Sequence, residues 1–187
     1  RIFCGSSVLA ADIKKRHDID TTVLNFPDLC LQRSTVAQSL LENYFICESG
    51  LDPVDRIDLV LEAVKLSSED WKLVICVPHA RDVYWEALLQ RIEYLRIQDK
   101  IILVRSHLDF FEFDKPIALI CIPFASRKIP SVAERANRFG IPIITTDDSS
   151  ALLEIVEPGI AGCVCVSQAL VIADTCDKTM RKNLFRP

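Results

Sequence analysis

The residues of this sequence that could do chemistry collect in short segments that follow apolar runs. ESGLDPVDR, residues 48–56, carries Asp55 and Gly50. PFASRKIPS, residues 123–131, carries Arg127 and Lys128, and the segment after it adds Arg135 and Arg138. VPHARD and RSHLDF contribute His79 and His107, while TTDDSSALLE contributes Ser150 and Glu154. Arg and Lys gathered on one loop suit an anion such as a phosphate, which Arg grips through two parallel hydrogen bonds. Three arrangements stay open at this level. The cations hold a phosphate, or Arg127 or Arg135 pairs with Asp55, or they stand solvated on the surface. Asp55 and Glu154 each also suit the start of a helix, where the dipole favours negative charge. A loop His with no visible base partner reads first as polar surface.

Several other chemistries lack their residues. Only five glycines occur, at 5, 50, 140, 159 and 162, with no G-x-G-x-x-G and no G-x-x-x-x-G-K. That excludes an ordinary dinucleotide or P-loop site. No Ser-His-Asp order or metal-ligand cluster assembles at credible spacing, so no metal or other cofactor is expected. The eight cysteines include no C-x-x-C, and Cys163 and Cys165 have the alternate spacing of one strand face. Neither zinc ligation nor a disulfide framework is expected; the thiols read as small buried hydrophobes in a reducing cytoplasm.

The elements that must position these loops alternate along the chain. TTVLNF, YFICES, KLVICV, KIILVR, IALICI, IPIITT and AGCVCV read as buried parallel strands. VLAADIKKRH, VDRIDLVLEAVKL, VYWEALLQRIEYLR, SVAERANRF and SALLEIV read as helices. Helix-face spacing in the second of these places Ile57, Val60, Leu61 and Val64 toward the core, and in the third Trp85, Leu88, Leu89, Ile92 and Leu95. Gly140 and Pro142 mark a helix stop and the return to a strand. Strand–helix alternation argues an α/β fold with a doubly wound parallel sheet, whose ligands bind beyond the carboxyl ends of the strands. Residues 25–42 are the least periodic and read as a linker or surface excursion.

The 187 residues, half of them hydrophobic, suffice for one packed domain or one lobe of a larger enzyme. A net charge of -4 and the lack of a long basic block give no case for nucleic acid. The densest basic run, KKRH at 14–17, fits the polar face of a short helix. No run approaches the ~18 apolar residues of a membrane span. The start, RIFC, has no Met and no leader pattern, and the chain looks like a piece of a longer protein.

Taken together, the loops resemble the donor-binding, C-terminal half of a GT-B glycosyltransferase, and most nearly glycosyltransferase family 4. YFICESGLDPVDRIDLVLEAVKL is similar to that family's strand, S-R-L-x-P-x-K-R-x-D-L and helix. KLVICVPHARD and IALICIPFASR resemble its G-x-G-P-E turn and its A-D-V-F-V-x-P-S strand. RFGIPIITTDDSSALLEIVEPGIAGCVC keeps Gly140, Pro142, Glu154, Ile155, Val156, Gly159 and Gly162 in register with its last motif. SSVLAADIKKRHDIDTTVLNFPD looks like the family's approach to this lobe.

The resemblance implies an opening segment over 1–44, a Rossmann-like lobe over 45–170 and a C-terminal helix or tail over 171–187. It implies transfer of a mannose- or glucose-type hexose from a nucleotide-diphosphate sugar. The acceptor would be held by an N-terminal lobe, from the same protein or a partner chain. The family's diphosphate-binding Arg and Lys fall on Gly50 and Asp55, and its two Glu, spaced eight apart, fall on Arg127 and Arg135. The paired glycines before its E-I-V fall on Ser150 and Ala151, and the stretch around His107 resembles the nucleobase wall. By family position the donor site would therefore comprise Gly50, Asp55, His107, Arg127, Lys128, Arg135, Ser150 and Glu154. All four charged positions are changed. The alternative function is a degenerate domain acting as a structural or partner-binding module.

Overall fold

The computed structural model describes residues 2–4, 11, 14–16, 18, 21–23, 44–78, 82–105, 117–123, 128–159 and 161–182. Its centre is a six-stranded, all-parallel sheet. The strands are β3 (Tyr44–Glu48), β4 (Lys72–Cys76), β5 (Ile101–Val104), β6 (Leu119–Ile120), β7 (Ile143–Thr146) and β8 (Gly162–Cys165). They lie in the order β5-β4-β3-β6-β7-β8. The chain winds outward from β3 in one direction and from β6 in the other, so the order reverses between those two strands. β1 (Ile2–Cys4) and β2 (Thr21–Val23) pair in parallel as a separate two-stranded sheet. The strand expected in TTVLNF is thus present over Thr21–Val23. β1 itself, only three residues long, is too short to show a period.

Continuous apolar runs form these strands because both faces are covered. Alternate residues feed two cores. Phe45, Cys47, Leu73, Ile75, Ile120 and Ile144 pack on one side, and Tyr44, Ile46, Val74, Cys76, Leu119 and Ile143 on the other. Helix α1 (Ile57–Leu66) covers the first face with buried Val60, Leu61, Ala63 and Val64, as its spacing implies. Helix α2 (Asp82–Leu95) inserts Leu88 and Ile92 there, but Leu89 is exposed. The apolar stripe expected on α2 is narrower than its spacing suggests. Helix α3 (Ser131–Arg138) covers the second face through Val132, Ala133 and Ala136. Helix α4 (Ala169–Lys182) returns to the first face with Ile172, Ala173 and Cys176.

Two glycines shape the lobe, the first at the helix stop expected from the sequence. Gly140, at φ 66°, ends α3: its N–H reaches Asn137 O at 3.1 Å and the Ile141 N–H reaches Ala136 O at 2.9 Å. Gly162 opens β8 so close to β7 that an added Cβ would lie 1.9 Å from Ile143 O. SALLEIV is corrected: it forms a single 3-10 turn, Leu152–Glu154, rather than an α-helix. Leu152 and Val156 are buried and Glu154 is exposed, so the segment is a short plug over the second core.

Helix α4 is fastened by a buried carboxylate. Asp177 accepts from Ser67 Oγ at 2.6 Å, Ser68 N at 2.9 Å, Ser68 Oγ at 2.8 Å and Trp71 Nε1 at 2.9 Å. Burial alone would raise its pKa, but these hydrogen bonds outweigh it and hold the carboxyl below its usual range.

Candidate functional site

The reversal between β3 and β6 places the candidate site where an open α/β sheet offers a crevice. A cavity of about 50 Å³ lies there, lined among the described residues by Cys47, Glu48, Ser49, Asp55, Cys121 and Pro123 with an aliphatic floor. That is room for a few water molecules. Nucleotide-sized ligands occupy sites of roughly 300–1,000 Å³.

One wall is the loop from β3 to α1. Pro53–Asp55 forms a 3-10 turn, and Arg56 joins it to α1. Asp55 therefore sits just before the helix rather than within it. Its Oδ2 accepts the Gly50 N–H at 2.7 Å and the Ser49 hydroxyl at 3.0 Å. Ser49 Oγ in turn accepts the Leu51 N–H at 2.9 Å. Leu51 and Arg56 both stand at positive φ, 62° and 53°. For side chains of this kind the left-handed region costs about 1–2 kcal/mol. Gly50 shows no such φ, and a Cβ there would meet the Asp55 and Asp52 carboxylates at ordinary distances of 3.6 and 3.7 Å.

The cations are placed differently from the sequence expectation. Arg135, on α3, faces Glu48 at the end of β3 with Nη2 to Oε2 at 3.6 Å, both side chains 13 % exposed. This is an ion pair rather than a hydrogen bond. The suggested Arg135–Asp55 pair is thus corrected: α3 carries Arg135 to the strand end, while Asp55 is turned into its own loop. Arg56, which the sequence reading did not single out, crosses to Asp148 at 2.7 Å. Asp148 also accepts from Thr146 Oγ1 at 2.6 Å. Burial would raise the Asp148 pKa, but hydrogen bonds from Thr146, Ser167 and Arg56, with the Arg56 charge, bring it below the usual value. Ser149 Oγ, 3.0 Å from Thr146 Oγ1, donates to Pro123 O at 2.9 Å. Loops after β3, β6 and β7 are therefore tied together at the mouth of the crevice.

Lys128 is exposed before α3, and Ser150 is half-buried in the turn after β7. Glu154 closes its 3-10 turn instead of opening a helix, which corrects the expectation of a helix-start acid there. His79, His107 and Arg127 lie outside the described residues. The structure thus brings Gly50, Asp55 and Arg135 to the crevice and adds Glu48, Arg56, Thr146, Asp148 and Ser149. Their signal in the sequence was only their position at strand ends. Beneath them, burial, with the Asp55 and Glu48 charges, pushes the Cys121 thiol up to about 12. Burial, with Cys76 and Cys121 nearby, likewise raises that of Cys47. These thiols are packing groups rather than nucleophiles.

Chemically the crevice combines acids and bases that answer one another. Glu48 faces Arg135, Asp148 faces Arg56, and Asp55 takes up two donors of its own loop. Among the described residues, no group of three or more His, Cys, Asp or Glu could hold a metal ion. Also among them, no helix is long and apolar enough to cross a membrane.

No protein-family model matches the sequence, and no curated protein does. Solved structures do match the fold. The apo lipopolysaccharide outer core galactosyltransferase WaaB is 18% identical, with a TM-score of 0.73 over 97% of this chain and 53% of that one. A glycosyltransferase from Rickettsia africae is 13% identical, with a TM-score of 0.74 over 98% and 57%. The pneumococcal O-GlcNAc transferase GtfA, in complex with UDP and GlcNAc, is 17% identical, with a TM-score of 0.72 over 95% and 37%. These neighbours are GT-B glycosyltransferases, and the chain shares the Rossmann-like fold of part of them. It spans about half of their length or less.

Proposed function

We propose that this chain is the donor-side lobe of a family 4-like GT-B architecture whose donor crevice is filled by its own side chains. On this reading it serves as a structural or partner-binding module beside a second, N-terminal lobe. The Glu48–Arg135 pair carries the proposal. Arg135 stands where the resemblance calls for a sugar-holding carboxylate, and its charge is directed at a strand-end acid inside the crevice. Asp55, at the position of a diphosphate-binding Lys, reverses the charge a donor would meet. Like charges at contact distance in a partly dry cleft repel by several kcal/mol.

A second reading has its own observation. The glycines and proline that shape the last motif, Gly140, Pro142 and Gly162, are in place, and GtfA, which shares the fold, is bound to UDP and GlcNAc. The lobe would then be the nucleotide-sugar half of a hexose transferase, with no cofactor beyond the donor itself. Titration calorimetry with UDP-glucose, UDP-N-acetylglucosamine and GDP-mannose separates the two. The native chain is expected to give no binding tighter than about 10 mM, and the Asp55→Lys/Arg135→Glu double variant to gain affinity. A dissociation constant of about 1 mM or tighter for the native chain would overturn the module reading.

A further inference from the structure

Three features of the loop from β3 to α1 belong together. It holds two residues with side chains at positive φ, Leu51 and Arg56. It forms a wall of the switch-point cavity through Ser49 and Asp55, with Cys47 and Cys121 lining the same space. Its base is fixed by the Ser49 N–H on Cys76 O at 3.0 Å, and at its far end the Arg56 guanidinium reaches across the sheet to Asp148 at 2.7 Å, with side chains 21% and 30% exposed. Inside the loop, Asp55 binds Gly50 N–H and the Ser49 hydroxyl, bracing residues 50–55 against their anchor at Ser49. On the far side, Asp148 is held by Thr146 and is continuous with the Ser149 contact to Pro123 O.

We propose that residues 50–56 form a strained strap, anchored at Ser49 and latched by Arg56 to Asp148, whose release opens the cavity between β3 and β6. Strain at two residues favours the released form, and the ion pair opposes it. A strained loop whose far end is held by an ion pair can open locally, without global unfolding. The strap gives the β7 loop control over access to a cavity formed by β3 and β6. This inference does not rest on what the crevice binds, and its test uses no nucleotide sugar.

Cys47 and Cys121 report opening, because both are nearly inaccessible, at 3% and 8% exposure, and both line the cavity. Cys176 is a control: it is fully buried on α4 and does not line the cavity. The native chain and its Arg56→Gln and Asp148→Asn variants would be treated with N-ethylmaleimide at pH 8 and each cysteine followed by peptide mass spectrometry. Each variant is expected to speed labelling of Cys47 and Cys121 at least tenfold, equivalent to about 1.4 kcal/mol of latch, with Cys176 unchanged. The double variant should label no faster than the faster single, since a latch is broken once. Rates at Cys47 and Cys121 within about threefold of native would overturn the proposal. So would a parallel rise at Cys176, which would mean general loosening rather than an opened strap.

Discussion

Asp177→Ala removes the carboxylate that fastens α4 to the turn after α1. The side chain accepts four hydrogen bonds, at 2.6, 2.8, 2.9 and 2.9 Å, and the residue is 5% exposed. The Trp71 indole N–H would be left without this acceptor in a residue 1% exposed, at about 1–3 kcal/mol. The donors of Ser67 and Ser68 are only partly buried and recover some hydration. A net loss of about 3 kcal/mol follows, or about 6–12 °C in Tm for a chain of this size. Asp177→Asn keeps the volume but turns an amide toward four donors, and should lose about 2 kcal/mol. The pH dependence has a definite sign. The folded carboxyl has a lowered pKa, so its stabilisation is complete above the unfolded value of about 3.9 and fades as pH falls through the folded value. Urea unfolding followed by circular dichroism should show the native–Asn gap constant from pH 7 to about 5 and closing in acid. A loss under about 1 kcal/mol for Asp177→Ala at pH 7 would refute the assignment, as would a gap unchanged down to about pH 2.

Other substitutions test the remaining contacts. Gly162→Ala would drive a methyl to 1.9 Å from Ile143 O; we expect a loss of about 3–5 kcal/mol and little soluble protein, measurable by expression yield and thermal melting. Arg96 ends α2 at φ 56°, with the Ile97 N–H on Ile92 O at 3.3 Å, a role that suits glycine. Arg96→Gly should therefore stabilise by about 0.5–1 kcal/mol in urea titrations, and a destabilisation would contradict the cap. Arg135→Glu would set a second carboxylate against Glu48 and should cost more than Arg135→Ala, with Glu48→Gln relieving most of the difference. Equal costs for the two, measured in the same unfolding assay, would remove Glu48 as the partner.

Much of the architecture was legible because both of its signals are local. Apolar runs such as YFICE and KLVIC, separated by helix-period segments, already imply buried parallel strands with crossover helices. Gly140 could likewise be placed, since a helix stop at positive φ favours a residue without a side chain, whereas the close approach of Gly162 to Ile143 O comes from strand pairing. The elements misread were those where tertiary contacts override the period. SALLEIV has helical spacing, yet Leu152 and Val156 plug a core that leaves room for only one turn. α2 repeats apolar residues on a wider arc than the sheet covers, leaving Leu89 in solvent.

At the crevice the sequence by itself determined which charges are present and that they lie at strand ends. It did not determine who meets whom. Asp55 and Arg135 are 80 positions apart, and only the β3–β6 reversal brings their elements to one place. Whether they then touch depends on the angle of α3 and the turn of a strained loop, which no local pattern encodes. The fold resolved that choice in favour of Glu48 for Arg135, and of the loop's own N–H and hydroxyl for Asp55. Partner choice among buried charges is a property of three-dimensional distance, and distance is what the tertiary structure supplies.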